Sequence, residues 1–200
     1  MINKILYILL AFFIFSCGDQ KNTSKNEETS SKSPDKKNRV DAISQIEKFS
    51  DSLYILTMKL NEQNNGLDKN DRIALKSKII VVRQQCINEN LSFVKSFPKD
   101  SMAPYCLLNV KTIYDEVSAY EKSINSMDSI LINYPDFRYY SLILEDKAAT
   151  LDHCMKVRDT SIIREAYEKI LSHPQTTESR FKEISERLLN LDKKINEMPR

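Results

Sequence analysis

Two histidines, His153 and His173, are the whole imidazole supply of this 200-residue chain. A histidine works as a general base or a metal ligand only beside the right partners, and these two fall on separate predicted elements. The carboxylates offer no better pair. Asp115-Glu116 and Glu145-Asp146 are adjacent in sequence, and adjacent helical residues point to different faces, so they read as solvated surface. No Gly-x-Ser-x-Gly elbow, His-Glu-x-x-His, P-loop or EF-hand spacing occurs. Beyond Cys17 the cysteines are Cys86, Cys106 and Cys154, an odd number with no C-x-x-C pair, so they do not make a complete disulfide framework. They read as small buried apolar residues on helix faces, with one disulfide plus a free thiol as the alternative. A zinc site at His153-Cys154 would need partners that no nearby spacing supplies. The expectation is no enzyme, no metal and no cofactor.

The elements that carry these residues are helices. Only two glycines occur, and Gly66 is the one beyond the N-terminal stretch, which argues against tight β-turns and Gly-rich phosphate loops. Apolar residues recur at spacings of three and four rather than alternating, so the domain from residue 40 to 198 is expected to be all-α. Val40 to about Gln63 places Ile43, Ile46, Leu53, Leu56 and Leu60 on one face. Gly66 then supplies a left-handed helix end. A second helix, roughly Lys69 to Phe97, carries Ile73, Ile80, Ile87, Leu91 and Val94 as its stripe. Asp100 or Ser101 is expected to cap the third. Two more helix pairs come after it, broken at Tyr134-Pro135-Asp136 and at His173-Pro174.

Pro98, Pro135 and Pro174 lie at a near-constant interval of just under 40 residues, each after a helix ending in an aromatic or His. A period between roughly 20 and 50 residues marks a helical solenoid. With Pro135 as the closing proline, Leu107, Val110 and Tyr114 fall on one helix, and Tyr120, Ser123, Met127 and Ile130 on the next. Leu144, Ala148 and Leu151, then Arg164 to Leu171, repeat the pattern. From Ser92 to Leu191 the chain resembles the tetratricopeptide-repeat (TPR) lipoproteins of the Bacteroidetes. The resemblance implies a short solenoid of antiparallel helix pairs, and a non-repeating helical bundle is the alternative. Lys111 departs from it: the repeat has Gly or Ala at that close crossing, so a lysine there is expected to snorkel outward. A groove on the first helices would be lined by Tyr105, Leu108, Thr112 and Asp115, then Leu142, Glu145, Ala149 and Asp152. Such a mixed apolar and acidic lining suits a basic, apolar peptide or helix; docking on the convex face or end-on is the alternative. The last helix, Glu178 to Met198, places Phe181, Ile184, Leu188, Leu191, Ile195 and Met198 on a narrow seam. It reads as a capping helix, with homodimerisation through 178–198 as the alternative.

The chain opens with a charge at Lys4, an apolar run from Ile5 to Phe15, and Ser16-Cys17. This resembles a bacterial lipoprotein signal peptide ending in a lipobox, although bulky Phe15 stands where a smaller residue is usual. The apolar run is shorter than the ~20 residues that span a bilayer. Residues 1–16 are therefore expected to be removed, leaving Cys17 as the acylated (palmitate-bearing) first residue. From Gly18 to Arg39 the chain is polar and Lys-, Asn- and Ser-rich, so residues 17–39 read as a disordered tether about 26 Å from end to end. Gly18 in place of Asp after the cysteine implies the outer membrane. The single acid in Gly18-Asp19-Gln20-Lys21 implies a periplasm-facing protein rather than a surface-exposed one. The near balance of basic and acidic residues gives no basic face for nucleic acid.

Asp51-Ser52-Leu53, Asp100-Ser101-Met102 and Asp128-Ser129-Ile130 resemble the sites that Bacteroidetes O-glycosylate on exported proteins, which would make Ser52, Ser101 and Ser129 acceptors. The same triplet also begins helices. The reading is a lipid-anchored scaffold or adaptor that binds an envelope protein, with a small-ligand or nutrient-binding lipoprotein as the rival. The resemblance names no partner.

Overall fold

The computed structural model describes residues 34–62, 66, 68–174 and 176–193. The predicted signal peptide, Cys17 and most of the tether lie outside them. Among the described residues there are seven helices: α1 (Pro34–Glu62), α2 (Lys69–Ser96), α3 (Ala103–Glu116), α4 (Tyr120–Asn133), α5 (Tyr140–His153), α6 (Thr160–Leu171) and α7 (Glu178–Leu189). The chain from Pro34 on is one compact unit. It is all-α, as the apolar periodicity predicts. None of these helices is long and apolar enough to cross a membrane.

Each helix packs on the next in sequence. The connections are short, so neighbours run antiparallel. Start signals are local. α1 begins at Pro34, earlier than the expected Val40, because a proline in the first turn loses no helical hydrogen bond. Asp68 caps α2, accepting from the backbone N–H groups of Asn70 at 2.7 Å and Asp71 at 2.9 Å. Asp159 caps α6 in the same way. At α3 the cap position is Met102, not Asp100 or Ser101. Asp100 instead accepts from the Met102 N–H and pairs with Arg39 of α1.

Helix ends differ from expectation too. Gly66 does not take a positive φ; the left-handed residue is Ser118, at φ 56°. There the Ala119 N–H bonds the Tyr114 carbonyl and the Ser118 N–H that of Asp115. This pair of bonds closes α3 as a Schellman motif, with serine where glycine fits best. α7 stops at Leu189 rather than at Met198. Arg187 Nη1 donates to the carbonyls of Asn190 and Lys193, both 3.0 Å away, and so turns the chain off the helix. Ile195 and Met198 lie outside the described residues.

Three apolar clusters run along the helix array. Leu53, Leu75, Ile79, Cys86, Ile87, Val110 and Ile113 join α1, α2 and α3. Leu107, Met127, Ile130, Phe137 and Ile143 join α3, α4 and α5. Leu144, Ala148, Ile163, Ala166, Tyr167, Ile170, Ile184 and Leu191 join α5, α6 and the chain around α7. The buried face of α2 is Leu75, Ile79, Cys86, Ile87, Asn90 and Phe93. Ile73, Ile80 and Leu91, which the periodicity places on it, are exposed. The drift of about 20° per heptad is too small to explain this; the exposure of Ile73 and Ile80 beside buried Ile87 follows from which neighbours cover each turn of α2, and not from its period. Buried Asn90 disguises the true stripe: its amide donates to the Cys86 carbonyl at 2.8 Å.

Candidate functional site

The prolines mark a turn that the chain makes three times. The Asp100 N–H bonds the Phe97 carbonyl, the Phe137 N–H that of Tyr134, and the Thr176 N–H that of His173, each at 3.0 Å. In each case the proline is the second residue of the turn, where its fixed φ is already correct. The turns also touch: the Tyr134 hydroxyl donates to the Pro98 carbonyl at 3.0 Å. Side chains on alternate helices then meet at a constant separation of 35 residues. Lys111 of α3 reaches Asp146 of α5, Arg180 of α7 reaches Glu145 of α5, and Arg187 of α7 reaches Asp152 of α5.

The first two of these pairs cross the surface expected to be a groove. Lys111 does not snorkel out. Its side chain is 13% exposed, with Nζ 2.7 Å from Asp146 and 2.9 Å from Asp115. Burial pushes its ammonium down in pKa, but the two carboxylates more than reverse this and hold it above the ordinary lysine value. Asp115 is thus engaged through Oδ2, while its buried Oδ1 has no hydrogen-bond partner among the described residues, and Glu145 is bound by Arg180 at 2.7 Å. Thr112 donates to the Leu108 carbonyl of its own helix. Tyr105 and Leu108 are half-buried against the second apolar cluster, while Leu142 and Ala149 are exposed. Asp152 does not line a surface at all.

Asp152 is the most enclosed charge described, with none of its side chain exposed. Arg187 grips it with two bonds of 2.6 and 2.8 Å, Arg158 adds one of 2.6 Å, and the Tyr167 hydroxyl donates at 3.1 Å. Burial pushes its carboxyl up in pKa; the hydrogen bonds from Arg187 and Arg158 outweigh that and bring it down to about 2. The same environment drives the Tyr167 phenol up to about 12. Arg158 also donates to the Leu191 carbonyl, so the cluster clamps the chain beyond α7 onto α5 and α6. Sequence reasoning missed Arg158, Tyr167 and Arg187. The signal was there: Asp152 and Arg187 are opposite charges at core-facing steps of their helices, four beyond Ala148 and three beyond Ile184.

A cavity of about 180 Å³ opens where α5, the turn after α6 and the start of α7 meet. Leu144 and Ile170 supply its apolar wall. Ser141, Glu145, His173, Thr176, Thr177 and Arg180 supply the rest. His173 stacks on Tyr140, with ring centres 5.6 Å apart. His153, far along α5, lies 3.8 Å from Asp152 instead. The two histidines are not brought together.

Cys86 and Cys106 are buried and Cys154 half-buried, all three as free thiols. Burial raises the Cys86 thiol and pushes Cys106 up to about 12, so at neutral pH neither forms a useful thiolate. No three His, Cys, Asp or Glu among the described residues are placed to hold a metal ion. Of the three Asp-Ser triplets, Ser52 and Ser129 lie within helices and donate to carbonyls one turn back. Ser101 is exposed in the turn before α3. On the last helix Ile184 faces inward while Phe181 and Leu189 stand exposed on the outer side. Compared with protein-family models, curated proteins and solved structures, the chain finds no match.

Proposed function

We propose that this chain is a lipid-anchored, non-catalytic scaffold or adaptor of the cell envelope. In this reading Cys17 carries the acyl anchor in the outer membrane and the helices face the periplasm. α3 to α7 form a short TPR-like solenoid whose last helix is a cap. The observation that carries the reading is the threefold turn with its 35-residue side-chain ladder, since a regular interval is what stacked helix pairs impose. The ladder narrows the mode of binding. With Asp115, Glu145 and Asp146 already paired, the first-helix face offers little free acid to a basic peptide, and the end of the array by α7 becomes the better docking place.

The rival, a carrier of a small nutrient, needs a pocket of roughly 300–1,000 Å³ around its ligand. The cavity at α5–α7 holds about 180 Å³, which suits one side chain better than a whole metabolite, and the larger space of about 640 Å³ lies open along the outer face of α7, lined by that helix alone rather than enclosed. Tethering contributes by concentration: an acyl chain holds the module near its partner without any new contact.

The test is in-cell crosslinking of the full chain, with partners identified by mass spectrometry and Cys17→Ala as the untethered control. One envelope complex, weakened or lost without the cysteine, is the expected result. Equal recovery with and without Cys17, or no specific partner, would contradict the proposal.

A further inference from the structure

The repeated turn lets two junctions of the molecule be compared, with small shifts of register: Phe137 and Thr176 are 39 residues apart, Leu107 and Leu144 37, and Ile130 and Ile170 40. Phe137 and Thr176 occupy the same place, each donating its N–H to the residue before the proline. Phe137 is buried in a cluster with Leu107 and Ile130, and its ring meets Tyr105 edge-on at 5.0 Å. The matching neighbours of Thr176 are Leu144 and Ile170, which form the apolar wall of the 180 Å³ cavity. At the first junction the side chain is an aromatic ring; at the next it is threonine, whose hydroxyl donates to the Ile170 carbonyl, and a cavity of about 180 Å³ lies beside it.

We propose that this cavity is a receptor slot for one aromatic side chain of a partner polypeptide. Its volume is of the order that holds a benzene ring, about 150 Å³, with Leu144 and Ile170 as its apolar wall and polar side chains around an open mouth. Phe137 is the occupant in the filled copy, which argues for an aromatic ring over an aliphatic group. The rim is suited to a peptide. Arg180 lines the cavity, its guanidinium held by Glu145 and Glu183 at 2.7 Å each. Its buried Nε has no hydrogen-bond partner among the described residues and can donate to a peptide carbonyl. The inference rests on the adaptor reading for its partner, but not for the slot itself.

The test is an NMR titration of the full chain in micelles with N-acetyl-phenylalaninamide, using the leucine and alanine amides as controls. Shift changes are expected at Leu144, Ile170, Thr176 and Thr177, with the alanine amide at least about tenfold weaker. Thr176→Phe should fill the slot, abolish these changes and melt at a higher temperature than Thr176→Val, since both lose the hydroxyl bond to the Ile170 carbonyl and only the ring fills the space. Thr176→Val, which leaves the space open, should keep the shift changes. Equal response to all three amides, or undiminished phenyl binding by Thr176→Phe, would overturn the proposal. The two readings fail separately. A partner captured in cells equally well by wild type and Thr176→Phe overturns the slot and leaves the adaptor. Phenyl binding without any captured partner supports the slot and overturns the adaptor.

Discussion

After α4 the chain turns through Tyr134-Pro135-Asp136-Phe137, and after α6 it turns at His173-Pro174, the Thr176 N–H bonding the His173 carbonyl. The backbone bond that closes the two turns is the same. The packing around it differs. The first junction is filled by rings: Phe137 lies 5.0 Å from Tyr105 and 5.4 Å from Tyr139, and apolar contact holds α3, α4 and α5 together. The second has a cavity beside Thr176, and α7 is only 12 residues long with Ile184 as its one buried apolar residue. Charges hold it instead, through Arg180 to Glu145 and Arg187 to Asp152. One backbone plan can thus be closed by hydrophobic burial or by ion pairs. The second solution leaves space for something else.

Removing the charge at the second junction should do the most damage. Asp152→Asn leaves Arg187 buried without its counter-ion, and breaking such a pair costs about 3–5 kcal/mol. Urea denaturation should show this as a lower midpoint, with α7 losing amide protection first. At the first junction, Phe137→Ala should cost about 3 kcal/mol by opening a cavity there. The same urea curves measure it, and here the loss should be independent of pH.

Acid should separate the two junctions more finely. The Asp152 carboxyl titrates near 2 in the fold, against an ordinary value of about 4. Its contribution is complete above the ordinary value and lost as pH falls through about 2. Stability measured across that window should decline in the wild type and decline less in Asp152→Asn, while Phe137→Ala keeps the wild-type slope.

Smaller effects test the turns and the surface. Ser118→Gly should add about 1 kcal/mol, because only glycine takes a positive φ without a steric cost. An unchanged or lower thermal midpoint would count against that reading. Arg180→Gln should cost no more than about 1 kcal/mol, since its ion pairs are partly solvated. A larger loss in the same thermal assay would mean that the second junction depends on Arg180 as well as on Asp152.

The turns were the most legible part of the fold. Proline at a fixed interval is a backbone instruction that does not depend on neighbours, and Pro98, Pro135 and Pro174 all stand between helices. The start of α2 at Lys69 was equally local, set by Asp68. The hidden features depend on partners far along the chain. The face of α2 could not be phased, because Asn90 is buried and Ile80 exposed, each through its surroundings in the fold. Of the candidate groove, the residues were placed on the right helices but their occupancy was not foreseen. Nothing at position 111 announces that its lysine will meet Asp146, and the core-facing spacing of Asp152 and Arg187 marks both as inward without showing that they meet. The cavity was invisible because it is an absence, seen only once Thr176 is set against Phe137.

The contrast between the two junctions is tested most directly by placing a photoreactive phenylalanine analogue in cells, once at Thr177 on the rim of the open junction and once at Asp136 on the filled one. An open slot should give an adduct to one envelope protein from Thr177, mapped to a peptide with an aromatic residue, absent from Asp136 and weakened by Cys17→Ala. Equal adducts from both positions, or none from Thr177, would contradict it.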